Sequence, residues 1–144
     1  MPQKRINRHT VSNEHARGIG ANKTLLDHDD LIKFSYKYTD LSHGVFHFND
    51  RDIYYFVRFI QRLHDLSRYR VSELKTSRNS TLRFHPIDWN DTTQSSFGLP
   101  YEEQLVEQPY QFSLSVNEHG RIHGFFIENV FYIVWFDPTH QLYN

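Results

Sequence analysis

Three residues near the C-terminal end of this 144-residue chain can together move protons around a phosphate: Arg121, His140 and Tyr143. A guanidinium stabilises charge on a phosphoryl group, while an imidazole and a phenol serve as base and acid when a ribose 2′-hydroxyl attacks the neighbouring phosphorus. Such chemistry needs no metal and no cofactor. A second candidate site is His85 and Asp88, in His85-Pro86-Ile87-Asp88-Trp89, where Pro86 stiffens the segment and can hold an imidazole and a carboxylate in fixed relation. The plainer reading of that stretch is a rigid sheet edge. His119 and His123 have a spacing that would put two imidazoles on one face of a helix, with Asp137 as a further oxygen ligand for a metal-dependent hydrolase. Here the segment passes from turn to strand, so the two rings need not converge, and no metal is assigned. Glu102 and Glu103 point apart in any regular structure and read as solvated acids.

These groups must be placed by the elements around them. Ile32, Phe34, Tyr36 and Tyr38 alternate with polar residues, the period of a strand with one buried face. Asn49 then offers an N-cap, and Ile53, Phe56, Val57, Ile60, Leu63 and Leu66 form the stripe of an amphipathic helix. A short helix over Val71 to Lys75 follows, and the chain returns near Leu82. Leu82 to Trp89 contains Pro86, which donates nothing to a ladder, so it is at most a short edge strand. Residues 90 to 108 have no periodicity, and a span of that length is usually functional or mobile. Phe112, Leu114 and Val116 alternate as a strand, Asn117 to Gly120 supplies a turn, and Arg121 to Ile127 continues as a second strand. Val130 to Phe136 is an almost unbroken apolar run, expected of a strand buried on both faces. The fold class is therefore α+β: one antiparallel or mixed sheet with a C-terminal three-stranded meander, and one long helix plus a short helix packed on one face. Residues 1–30 are polar and read as an N-terminal arm, leaving 31–144 as a single domain.

Composition narrows the classes. Cysteine is absent, which removes disulfides, thiol nucleophiles and Cys-based zinc sites. The aromatic fraction of 16% predicts an aromatic core. The net charge of −1 hides a gradient of +1 over residues 1–50, +5 over 51–83 and −7 over 84–144. Such asymmetry suits an anionic partner or the packing of two copies. No run approaches the ~18 apolar residues of a membrane span, and the N-terminus lacks the apolar core of a signal peptide, so a cytoplasmic setting is expected. Phosphate loops, the GxSxG elbow, HExxH and EF-hand loops are all missing.

The stretch from Gln111-Phe112-Ser113-Leu114 through Gly120-Arg121-Ile122-His123-Gly124 and Val130-Phe131-Tyr132-Ile133-Val134-Trp135 to His140 and Tyr143 resembles the RelE/ParE toxin superfamily, in particular its YoeB-like mRNA interferases. The resemblance covers about a third of the chain by motif and two thirds by order of elements. It implies a toxin that cleaves mRNA on the ribosome without metal and is held inactive by an antitoxin protein. Arg121 would then bind phosphate, His140 act as general acid or base, and Tyr143 orient or assist. Residues 84–144 hold one Arg and eight acids, so affinity for RNA would have to come from Arg58, Arg62, Arg70, Lys75 and Arg83. His140 is also separated from Tyr143 by Gln141 and Leu142. The competing reading is a non-catalytic protein-protein interaction module or a homo-oligomerising small domain, with the aromatic C-terminus as its surface.

Overall fold

A computed structural model describes residues 30–77, 84–116 and 118–143. The chain divides into residues 1–31 and a compact unit, Ile32–Asn144, which carries the fold. The expected arm, Leu82 and Arg83 lie outside the described residues.

The unit is α+β. Strand β1 (Lys33–Ser35) leads to helix α1 (Ile53–Leu66) and helix α2 (Val71–Thr76), then to the two-residue strand β2 (His85–Pro86). A 3-10 turn at Trp89–Asp91 and a one-turn helix α3 (Glu102–Leu105) precede the meander of β3 (Pro109–Ser113), β4 (Arg121–Ile127) and β5 (Val130–Asp137). The strands form one five-stranded mixed sheet in the order β1-β5-β4-β3-β2, parallel only between β1 and β5. Pro86 sits on the outermost strand, where its missing N–H costs no ladder bond.

Both faces of the sheet are covered. On one, Tyr55, Phe59, Leu63 and Leu66 of α1 and Leu74 of α2 pack on Phe112, Ile122, Phe131, Ile133 and Phe136. On the other, no long helix is present among the described residues. There the segment after β1 supplies Phe46, the 87–105 region supplies Ile87, Phe97 and Leu105, and both close on Phe125, Val134 and Trp135. Phe46 stacks on Trp135 with ring centroids 4.6 Å apart, and Phe97 meets the same indole edge-on at 5.0 Å. The aperiodic stretch 90–108 is thus the cover of this second face. Periodicity does not reveal it, because a loop buries side chains at irregular intervals. Glu102, read from the sequence as solvated, holds this cover together: its two carboxylate oxygens accept the Phe97 and Leu99 N–H groups, each at 2.9 Å.

Two sequence expectations for α1 need correction. Its N-cap is Asp52, whose carboxylate accepts the Tyr55 N–H at 3.2 Å, rather than Asn49. Its buried face runs through Tyr55, Phe59, Arg62, Leu63 and Leu66, whereas Ile53, Val57 and Ile60 are exposed together with Tyr54. Arg62 is the reason the face is not apparent from residue type. It is buried, and its Nε donates to the Leu114 carbonyl at 3.2 Å, which satisfies a cation at an otherwise apolar position.

The pairing of β4 with β5 shifts register between His123 and Gly124, leaving Val134 as an extra residue on β5. The carbonyl of this bulged residue accepts the Asp40 N–H at 2.9 Å. The bulge inverts the alternation of β5: Val134 and Trp135 both join the loop-covered core, and Phe136 returns to the helical side. Asp137 therefore faces the same side as Trp135. The turn before β4 is pressed against the end of β5, because Gly120 has φ +68° and a Cβ there would collide with the Asp137 carbonyl and the Pro138 backbone. Gly120→Ala is expected to cost about 1–2 kcal/mol from the left-handed conformation alone, and more from the collision, read as a lowered midpoint in urea unfolding. An unchanged midpoint would show that the turn and the strand end are not held together.

Candidate active site at the end of the sheet

Arg121 opens β4 and pairs in register with Asp137, the last residue of β5, and with Ser113, the last residue of β3. Beyond Asp137 the chain turns back as a hook, Pro138–Tyr143. The Asp137 carboxylate is buried and accepts the N–H groups of Gln141 at 2.7 Å and Leu142 at 3.0 Å, which closes the hook on itself. His140 lies inside this loop with φ +58°, a left-handed conformation that a non-glycine residue adopts only when its surroundings impose it. The Leu142 side chain is fully buried among Trp135 and its neighbours, and the Leu142 carbonyl accepts the Thr93 N–H at 2.8 Å. Thr92 bridges to Tyr143. The hook is thus clamped from inside by Asp137 and from outside by the 90–108 loop.

The result is a cavity of about 230 Å³ lined by Gln111, Arg121, Asp137, His140 and Tyr143. The three residues singled out from the sequence for their joint chemistry line one cleft. Gln111 was not singled out there, and Asp137 was named only as a metal ligand beside His119 and His123. Gln111 pairs in register with His123, so strand alternation aims it away from the helices, and its Oε1 is buried with no hydrogen-bond partner among the described residues. That alternation against Phe112 was the available signal.

Burial and neighbouring charges shift the two titratable groups of the hook in opposite directions. Burial, followed by the Arg121 guanidinium, holds the His140 imidazole below the usual histidine range, with Asp137 pulling the other way. A neutral imidazole can accept a proton. Burial raises the Tyr143 phenol above its ordinary value, with Asp91 and Asp88 adding to the effect against a backbone hydrogen bond at Asp88 that lowers it. It therefore stays protonated and can donate.

The other candidates fall elsewhere. His85 is exposed on the edge strand, while the Asp88 carboxylate caps the 3-10 turn by accepting the Asn90 N–H at 3.0 Å. Among the described residues no hydrogen bond or ion pair joins them. His119 lies against Tyr55 of α1, whereas His123 is packed edge-on against Phe46 and Trp135, so the sheet separates the two rings. Among the described residues no group of three His, Asp or Glu side chains could hold a metal ion. Arg58, Arg62, Arg70 and Lys75 sit on or at the ends of α1 and α2, on the helical side of the sheet, and do not line the cleft. Lys75 instead lies over the rings of Tyr110 and Phe126, at 5.4 and 5.0 Å. Among the described residues no helix is long and apolar enough to cross a membrane. Comparison with protein-family models, curated proteins and solved structures gives no match.

Behind the cleft, His123 is fully buried, and its Nε2 is 3.5 Å from Asp137 Oδ2, beyond ordinary hydrogen-bond length. Burial pulls its pKa down to about 3, with Arg121 and His140 contributing in the same direction, so the contact joins a neutral ring to the carboxyl group and is not an ion pair. An unfolded histidine takes up its proton near pH ~6.5. Below that value the unfolded chain is protonated and the folded chain is not, so stability is full above it and falls as pH drops toward about 3. Asp137, raised by burial, acts in the opposite sense. His123→Phe keeps an aromatic ring against Trp135 and removes the titrating group. It is expected to flatten the decline of the urea midpoint between about pH 7 and pH 4; an unaltered decline would assign it to another group.

Proposed function

We propose that the chain is a metal-independent endoribonuclease of RelE-like type, acting on mRNA as the toxin of a toxin-antitoxin pair in the cytoplasm. The observation that carries the reading is the convergence of Arg121, His140 and Tyr143 on one cleft, with the imidazole kept neutral beside a permanent cation. In this mechanism His140 takes the proton of the ribose 2′-hydroxyl, whose oxygen attacks the adjacent phosphorus. Arg121 stabilises the charge that develops on the non-bridging oxygens. Tyr143 gives its proton to the departing 5′-oxygen, leaving a 2′,3′-cyclic phosphate on one fragment and a 5′-hydroxyl on the other.

One feature favours the alternative of a protein-protein interaction module. Ile53, Tyr54, Val57 and Ile60 form an exposed apolar stripe on the solvent side of α1. The stripe is on the helical side of the sheet, away from the residues that line the cleft.

The test is tightly induced expression of the wild-type chain beside the His140→Ala/Tyr143→Phe double variant in bacteria, followed by cleavage of single-stranded RNA by the purified proteins in excess EDTA. The wild type is expected to arrest growth, degrade bulk mRNA and leave cyclic-phosphate ends with chelator present. The double variant, equally soluble, should lose about 10²–10⁴-fold in rate. The acid limb of kcat/KM should lie below the ordinary histidine value of ~6.5, as the depressed His140 requires. Intact RNA with the soluble wild type would transfer the case to the interaction module.

A further inference from the structure

The ridge formed by the hook has a second cavity on its other flank. It measures about 290 Å³, and its lining includes His47, Asp50, Arg51, Pro138, Thr139 and Gln141. Asp137 and His140 line the first cavity, while Pro138, Thr139 and Gln141 line the second, so the two share one short loop as a common wall. A chain of linked units bound in the first would have to cross only this loop to reach the second.

The chemistry of the second cavity suits a nucleotide. The Arg51 guanidinium is held by Asp50, with Nε and Nη2 donating at 3.2 and 3.0 Å. A guanidinium has five N–H donors in a fixed fork, and the remaining donors lie outside that pair. His47 Nδ1 accepts the Asn49 N–H at 3.3 Å, which places the ring proton on Nε2 and makes that nitrogen a donor. Thr139 and Gln141 add a hydroxyl and an amide. The start of α1 is two residues beyond Arg51 and contributes partial positive charge. The Asp50 carboxylate offsets part of the Arg51 charge while fixing its plane. The described cations of α1 and α2 lie on the helical side of the sheet, and Arg51 is the described Lys or Arg that lines this second cavity.

We infer that the cavity beside Arg51 is a second nucleotide subsite, which takes the phosphate and sugar of the nucleotide next to the two joined by the cleaved bond and so makes this chain select a single strand longer than a dinucleotide. The inference rests on the ribonuclease reading of the first cleft. It assigns Arg51 and His47 to binding and gives them no part in the proton transfers.

The test compares the affinity of the full chain for random-sequence 2′-O-methyl dinucleotides and tetranucleotides, which cannot be cleaved, by fluorescence anisotropy. The wild type should hold the tetranucleotides about tenfold more tightly, the equivalent of one hydrogen bond to a charged group. Arg51→Ala should abolish that advantage and leave dinucleotide affinity unchanged, while Arg121→Ala should weaken both lengths alike. Thermal melting checks that Arg51→Ala is folded, which its exposed ion pair leads one to expect. Equal affinity for both lengths in the wild type, or a length advantage that survives Arg51→Ala, would overturn the second subsite while leaving Arg121-dependent binding, and with it the ribonuclease reading, intact. Failure of the wild type to bind either length would overturn both.

Discussion

The carboxylate of Asp137 lies at the end of β5, buried, with the N–H groups of Gln141 and Leu142 on its two oxygens and a neutral histidine behind it. A carboxylate in such a position is tolerated only where its lone pairs are met, and here the backbone of the following residues meets them. The requirement that this charge be solvated by N–H groups bends the chain back on itself. Everything displayed at the site depends on that bend: His140 inside the loop, Tyr143 at its exit, and Leu142 sunk into the core as the plug that keeps the loop down. Arg121 is brought opposite by ladder register, and Gly120 allows its strand to approach without a side chain in the way.

Asp137 faces this side because β5 carries one residue too many for simple alternation. The bulge at Val134 reverses the parity of the strand just before it ends, and the Val134 carbonyl accepts the N–H of Asp40 from the segment after β1. Without that extra residue Asp137 would face the helices, where Phe59 and Phe136 leave no polar partner. The bulge and the carboxylate form one device, in which the first aims the side chain and the second folds the loop around it.

Among the described residues, the second face of the sheet is covered without a long helix. Phe46, Trp89, Phe97 and Trp135 meet in edge-on and stacked pairs, and the irregular segment that delivers Trp89 and Phe97 is itself tied down by Glu102 and by the Thr93 bond to the hook. The same segment thus fills a core and clamps a site. That double duty accounts for an aperiodic stretch of nineteen residues, 90–108, in a compact unit.

Much of this was written in local chemistry. The existence of β3, though it ends at Ser113 and not at Val116, the turns at Gly120 and Glu128, the apolar run of β5 and the placing of Arg121, His140 and Tyr143 at one end of a meander follow from strand period and turn preference, which act over a few residues. The short α2 and the edge position of Pro86 follow for the same reason. The buried face of α1 followed at Leu63 and Leu66 but not in its first turns, because the helix has apolar residues on two sides and the carbonyl of Leu114 makes Arg62 a core residue. The role of 90–108 did not follow either, nor did the pairing of Asp137 with the hook, the orientation of Gln111, or the separation of the helical cations from the cleft. Each of these depends on which groups meet across the sheet, far apart in the chain. Residue type and spacing determined which side chains could do chemistry here; the register of the ladder, the bulge and the burial of one carboxylate decided which of them share a cavity.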